Sequence, residues 1–194
     1  MQKFTLELTG TAPLLMHNSR LADKLDPITK LKAAVSAKKR KTEEDDLELS
    51  RLEFLGGLYH DEDAGPYLPG DNIFKALVEA ARKTKQGKQV EQGLLITTDV
   101  NALAYDGPRD TRGLWEDRAN FEFRKTVKQM QARIVRVRPI FRHWSTVIEG
   151  AYDEAVLDFS DVENFAHTAG AYIGVGDWRP RYGRFEASIK KVAA

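Results

Sequence analysis

Apolar and polar residues alternate from Lys3 to Leu8, where the chain reads K-F-T-L-E-L. This alternation puts Phe4, Leu6 and Leu8 on one face, which is the period of a half-buried strand. We therefore predict a first strand here. Further segments with strand character run over about 94–105, 121–128, 132–141, 144–151 and 185–192.

Two segments instead show the spacing of helices with one buried face. The first begins after Gly70, with Asp71 as its expected N-cap. Its apolar face consists of Ile73, Phe74, Leu77, Val78 and Ala81. The second begins at Ser160, which with Glu163 forms a predicted capping box. Its apolar face consists of Val162, Phe165, Ala166, Ala169 and Ile173.

Two more helices are predicted between the first strand and the first core helix. Residues 27–41 are rich in Ala and Lys and follow Asp26, whereas residues 42–54 are acidic and begin at Thr42. Opposite charges favour pairing of these helices with each other. The alternative is an insertion that contacts a ligand or a neighbouring subunit.

Without this insertion, the order of elements is strand, helix, strand, strand, helix, strand. That order predicts an α+β fold of the ferredoxin-like (RRM) type, an antiparallel sheet with two core helices on one face. We expect one domain over residues 1–194, with the helical insertion at about 14–56 after the first strand.

The residue composition excludes several kinds of functional site. The chain has no cysteine, so disulfides, a thiol nucleophile and thiolate metal ligands are excluded. Its four histidines lack metal-ligand spacing, and we expect neither a metal nor a cofactor. No apolar run has the length of a membrane span, and the N-terminus does not have the pattern of a signal peptide. We therefore expect a cytoplasmic protein with no membrane partner.

A formal charge of +1 conceals an uneven distribution. Residues 109–142 carry ten Lys or Arg against four acids, whereas residues 143–169 carry six acids and no Lys or Arg. The basic belt includes Arg109, Arg112, Arg136 and Arg138, interleaved with Trp115, Phe121, Phe123, Phe141 and Trp144. Binding to unpaired bases is one interpretation. A sheet with aromatics facing the core and arginines facing water is the other. For Arg109 and Arg112, in the 107–113 loop, we favour binding.

The segment Gly174–Arg184, with sequence G-V-G-D-W-R-P-R-Y-G-R, is the most informative. Gly174, Gly176 and Gly183 permit positive φ angles and close backbone approach. Arg179, Arg181 and Arg184 lie beside Trp178 and Tyr182, so cations for phosphates and rings for bases occur together. The alternative is a tight helix-to-strand connection with Trp178 buried against the sheet.

Three segments resemble one known family. Gly65–Gly70 reads G-P-Y-L-P-G and runs into a helix with Lys75, and is similar to the G-x-P-Y-I-P-G-S-S-L-K-G segment of the RAMP superfamily. That superfamily includes CRISPR backbone and processing subunits. Residues 173–185 resemble its C-terminal glycine-rich loop, and residues 6–13 resemble its first strand and following loop.

The resemblance implies RNA binding, often by subunits that assemble along a strand. We therefore expect a non-catalytic binder of single-stranded RNA, with single-stranded DNA second, that associates with itself or with other RAMP-like subunits. A stand-alone relative encoded by a phage or mobile element also fits.

Two alternatives stay open. One is an endoribonuclease, either metal-independent with His17 as the base or dependent on an aspartate such as Asp26. The other is an interaction protein that mimics or caps a CRISPR backbone subunit.

Overall fold

The computed structural model describes residues 1–192 and has a mixed α+β fold with antiparallel sheets. The strands are β1 (Gln2–Gly10), β2 (Leu14–Leu15), β3 (His60–Asp61), β4 (Gly65–Pro69), β5 (Leu94–Ile96), β6 (Val100–Ala102), β7 (Glu122–Gln129), β8 (Ala132–Phe141), β9 (Ser145–Tyr152) and β10 (Phe185–Lys191). The helices are α1 (Pro27–Ser36), α2 (Glu43–Gly57), α3 (Gly70–Arg82), α4 (Gly87–Gly93), α5 (Thr111–Glu116), α6 (Arg118–Phe121) and α7 (Phe159–Thr168). The α+β class predicted from the sequence is confirmed.

The chain divides into two compact units. The first consists of residues 1–14, 61–106 and 141–194, and the second of residues 15–60 and 107–140. The second unit therefore combines the predicted helical insertion with a later stretch that contains α5, α6 and most of the β7–β8 hairpin. A single domain over residues 1–194 stays a prediction.

The first unit is built on a four-stranded antiparallel sheet with the order β10-β1-β9-β5. In its centre Leu6 lies opposite Ile148 on one side and Ile189 on the other. Phe4, Leu6 and Leu8 are all buried, as their alternation predicts. The predicted strand over 94–105 is divided instead. β5 joins this sheet, whereas β6 pairs with β4 in another.

Helices α3 and α7 pack against each other and complete the core of the first unit. Their buried faces include Ile73, Leu77, Val162 and Phe165, as the helical spacing predicts. Both predicted caps are wrong. α3 begins one residue before Asp71, at Gly70, whose N–H donates to the carbonyl oxygen of Asp99. α7 begins before Ser160, with Asp158 at the N-cap and no side-chain cap, so no capping box forms.

The second unit contains the paired helices α1 and α2 and a three-stranded sheet with the order β2-β8-β7. Asp26 caps α1, and Thr42 with Asp45 forms a capping box on α2. Lys38 contacts Asp45 across the connection at 2.5 Å. The oppositely charged helices therefore pair with each other, as predicted. Over residues 1–192, no helix combines the length and the apolar character that crossing a bilayer requires.

Candidate nucleic-acid interface

Glycines shape the loop between α7 and β10. A π-helical turn, Ala169–Ile173, follows α7 and ends at Gly174. Gly174, Gly176 and Gly183 have φ angles of 76°, 78° and 71°, a region that favours glycine. The N–H of Val175 donates to the carbonyl oxygen of Gly183 at 2.9 Å, and a Cβ at Gly183 would collide with the carbonyl oxygen of Val175. Only glycine fits this crossing of two backbone segments.

The end of the loop is also bonded to the segment after β1. The N–H of Gly183 donates to the carbonyl oxygen of Pro13 at 2.8 Å. The N–H groups of Thr11 and Ala12 both donate to the carbonyl oxygen of Arg184, at 2.9 and 3.2 Å. The loop backbone is therefore held in place on both sides of its tip. The backbone that carries the side chains at the tip is therefore held by hydrogen bonds.

Two rings lie next to each other at that tip. The ring centroids of Trp178 and Tyr182 are 6.3 Å apart, at an angle of 59°. Both side chains are half-buried, so Trp178 is not sequestered in the core. The guanidinium of Arg181 lies 5.8 Å from the centroid of the Tyr182 ring. A cation and two partly accessible rings therefore occupy one surface.

The three loop arginines differ in their surroundings. Arg181 and Arg184 are exposed and form no ion pair with any residue that the structure describes. Arg184 donates from Nε to the carbonyl oxygen of Pro180 at 2.8 Å, which orients it and leaves its charge unbalanced. Arg179 is half-buried, and its Nη1 lies 3.3 Å from Oε2 of Glu79 on α3. Two of the three predicted cations thus face solvent, and the third is neutralised.

A cleft of about 490 Å³ adjoins the loop. It is lined by Glu79, Tyr172, Ile173 and the loop residues 176–180. Lys75 is exposed one helical turn before Glu79, so it lies on the same side of α3. Lys83 lies 5.8 Å from the ring of Tyr172. Cations thus occur on the α3 surface at either end of the acidic Glu79.

The second unit places the other predicted cations in two different environments. Arg109 and Arg112 are exposed in and after the 107–110 loop. The carbonyl oxygen of Arg109 lies 2.9 Å from Nε2 of His60, and Arg112 pairs with Glu116 at 2.7 Å on the surface of α5. Asp110 caps α5 by accepting from the N–H of Gly113. These arginines lie on the surface of their unit, as expected.

Arg138 contradicts the prediction that β8 presents its guanidinium groups to solvent. Only 6% of Arg138 is exposed, and its Nη1 donates to Oε1 of the buried Glu53 at 2.8 Å. The side chain is therefore inside the protein and cannot contact a strand on the surface. Arg136, whose side chain is 30% exposed, also points at Glu53, at 3.4 Å. Val135, the residue before Arg136 on β8, is 49% exposed.

Most aromatics of the basic belt also belong to the core. Phe121, Phe141 and Trp144 are buried. Trp115 packs its ring 5.6 Å from that of Phe54, with the guanidinium of Arg118 lying 5.3 Å from the Trp115 ring. Stacking on unpaired bases is therefore wrong for these buried rings. The alternative interpretation, aromatics that face the core, describes them correctly.

The two catalytic candidates, Asp26 and His17, lie in different local environments. Asp26 accepts from the N–H groups of Ile28 and Thr29 and pairs with Arg20 at 2.8 Å. The hydrogen bond from Arg20 is the largest cause that holds the pKa of Asp26 below its ordinary value. The main chain of His17 accepts from the Tyr59 hydroxyl at 3.5 Å. Within residues 1–192, no three His, Asp or Glu side chains are grouped to hold a metal ion.

No protein-family model matches the chain, and a search of the curated proteins gives no match. The functional interpretation therefore rests on the residues and geometry described above.

Proposed function

We propose that this protein binds single-stranded nucleic acid, RNA first and single-stranded DNA second, through the loop Gly174–Arg184. The observation that carries the proposal is the pair of exposed arginines, Arg181 and Arg184, which have no ion-pair partner among the described residues. Arg181 also lies 5.8 Å from the centroid of the Tyr182 ring. Exposed arginines form ion pairs with phosphates, and unpaired bases stack on partly accessible aromatic rings.

The geometry favours a single strand over a duplex. Trp178 and Tyr182 lie at an angle to each other and are partly accessible, so a base must leave its stack to contact either ring. Lys75 extends the positive surface along α3, whereas Glu79 interrupts it. A strand would follow the cations and use the rings as stacking platforms.

The fold proposal is a ferredoxin-like domain of the RRM type. The strand order β10-β1-β9-β5 supports it, because α3 lies between β1 and β5 in sequence and α7 lies between β9 and β10. This is the connectivity that the sequence pattern predicts for such a domain. Together with the segments 6–13, 65–70 and 173–185, it supports membership of the RAMP superfamily. The proposal includes assembly with further copies or RAMP-like subunits in the cytoplasm, without catalysis.

Fluorescence anisotropy with labelled single-stranded RNA, single-stranded DNA and the matching duplexes tests this proposal. We expect both single strands to bind more tightly than the duplexes, and the double variant Arg181→Ala/Arg184→Ala to bind at least about tenfold more weakly. The control Lys24→Ala/Arg51→Ala removes the same number of positive charges from elsewhere on the surface. We expect it to weaken binding by less than about threefold, because it changes only the net charge of the protein. Equal losses in the two double variants would refute a specific role for the loop.

A further inference from the structure

The second unit contains a cleft of about 590 Å³ bounded by α1, α2, β7 and β8. Its volume falls in the range of about 300–1,000 Å³ that small-molecule sites occupy. Four of its lining residues are apolar: Leu49, Ile134, Val135 and Val137. The other lining residues are polar or charged: Lys32, Ser36, Lys41, Asp46, Ser50, Glu53, Arg124 and Arg136.

Three cations converge on one carboxylate at the base of this cleft. Oε1 of Glu53 lies 2.8 Å from Nη1 of Arg138 and 3.4 Å from Nη1 of Arg136, and Oε2 lies 3.7 Å from Nζ of Lys32. Arg138 has the short contact and is buried with Glu53. Arg136 and Lys32 make the longer contacts and keep side-chain exposures of 30% and 24%. Both side chains line the cleft and are therefore accessible from it.

The cleft lining carries further donors. Nη2 of Arg124 donates to the hydroxyl of Ser50 at 3.0 Å, and its Nε pairs with Glu122 at 2.6 Å. The Lys41 ammonium donates to the carbonyl oxygen of Lys38 at 3.2 Å, which leaves its charge unbalanced. The hydroxyl of Ser50 donates a hydrogen bond to the carbonyl oxygen of Asp46. Arginine and lysine donors thus line the same cleft.

Counting the charges shows an excess of two positive charges in this unit's cleft. Among the lining residues the cations are Lys32, Lys41, Arg124 and Arg136, and the carboxylates are Asp46 and Glu53. Burial is the largest cause that lowers the pKa of Lys32, and the charges of Arg136 and Arg138 lower it further against the attraction of Glu53. Cations held together away from bulk water repel each other, and an anion that entered would relieve this cost.

We propose that this cleft binds a phosphate monoester, as found on a nucleotide or at the end of a nucleic-acid strand. A monoester carries about two negative charges near neutral pH, which matches the excess, and its oxygens accept from several donors at once. An internal phosphodiester carries one charge and continues on both sides, which suits a bounded cleft less well. The apolar lining residues offer contacts for the organic part of the ligand.

Isothermal titration calorimetry on the full chain tests the site with two matched pairs of ligands. One pair is adenosine 5′-monophosphate and adenosine, and the other is a short RNA with a 5′-phosphate and the same RNA with a 5′-hydroxyl. The variants are Arg136→Gln and Lys32→Gln, which remove one cleft charge each and leave the buried Arg138–Glu53 pair intact. Arg51→Gln on the outer surface of α2 is the control, and circular dichroism checks that each variant is folded.

We expect the phosphorylated member of at least one pair to bind about tenfold or more tightly than its partner, since a charge-assisted hydrogen bond contributes at least that factor. This preference should fall in both cleft variants and persist in Arg51→Gln. A preference shown by the mononucleotide identifies a free ligand, and one shown only by the RNA identifies a strand end. No preference in either pair, or one that both cleft variants retain, would overturn the proposal. Loss of binding in the loop variant Arg181→Ala/Arg184→Ala leaves this test unaffected, because that loop belongs to the first unit.

Discussion

Nη1 of Arg138 lies 2.8 Å from Oε1 of Glu53, and each residue is only 6% exposed. One comes from β8 and the other from α2, so this pair joins the sheet and the helices of the second unit. The basic belt of the sequence is consequently divided. Its strand arginines serve the interior and the cleft of that unit, whereas Arg109 and Arg112 lie on its surface.

The variant Glu53→Gln should destabilise the protein by about 3–5 kcal/mol, because it removes the carboxylate that pairs with the buried guanidinium of Arg138. Urea denaturation followed by fluorescence measures this change. Glu48→Gln is the control, since Glu48 pairs with Arg51 on the surface and such pairs contribute about 0–1 kcal/mol. A Glu53→Gln variant as stable as the control would show that the pair is not needed for folding.

Asp26 is predicted to stabilise α1 as a cap and not to act as a catalytic base. Asp26→Ala should cost about 1 kcal/mol, whereas Asp26→Asn, which keeps a capping oxygen, should cost less. The pKa of Asp26 is depressed in the folded state below its ordinary value of 3.8. The charge-dependent stability is therefore complete above pH 3.8 and is lost as the pH falls through the lower folded value.

Denaturation curves at a series of pH values test this assignment. The stability difference between the wild type and Asp26→Asn should be constant near neutral pH and should shrink below pH 3.8. A difference that grows in acid has the wrong sign for a depressed pKa. Labelled RNA incubated with the wild type and with Asp26→Ala, with and without Mg²⁺, checks the catalytic alternative. Cleavage products that disappear in the variant would reverse the assignment.

The sequence predicted the fold better than the environment of its charged residues. Alternation identifies which side of β1 is buried, because Phe4, Leu6 and Leu8 repeat every second position. The sequence interpretations of Arg138 placed it at the surface, because a local pattern cannot show that Glu53, far away in sequence, supplies a buried carboxylate to it. A charged residue in a core requires a partner of opposite charge, and the tertiary structure determines which residue that partner is.

The candidate loop shows the same division. Its glycines were identified correctly, because a positive φ angle and backbone crowding at Gly183 are local requirements. The ion pair between Arg179 and Glu79 was not predicted, because α7 and most of the sheet lie between these two residues in the sequence. Local conformation can be predicted from composition, whereas charge compensation depends on which helix packs nearby.

Removing Glu79 should strengthen binding of a single strand. In Glu79→Gln the charge of Arg179 loses its balance beside the cleft, and we expect about a two- to fivefold gain in affinity, equivalent to a partly screened ion pair. Glu91→Gln removes the same charge from the exposed pair with Arg82 and serves as the control. Anisotropy titrations with one RNA compare the two. Unchanged or weaker binding by Glu79→Gln would mean that the bound strand does not pass the cleft beside Arg179.

Gly183→Ala should disrupt the loop. Its φ of 71° costs alanine about 1 kcal/mol or more, and the collision with the carbonyl oxygen of Val175 adds to this because both partners are backbone. Gly57→Ala is the control, since its nearest neighbour would be the Pro139 ring at 3.2 Å and it ends a helix. Thermal unfolding should show a clear loss for Gly183→Ala alone. Equal midpoints for the two variants would mean that the loop tolerates a side chain there.

The salt dependence of binding tests the central claim most directly. The slope of log K against log salt concentration is measured for a single-stranded RNA with the wild type and with Arg181→Ala/Arg184→Ala. Each phosphate contact on a single strand contributes about 0.7 to the slope, so the double variant should be shallower by about 1.4. Parallel lines for the two proteins would contradict the account, because they would mean that neither arginine meets a phosphate.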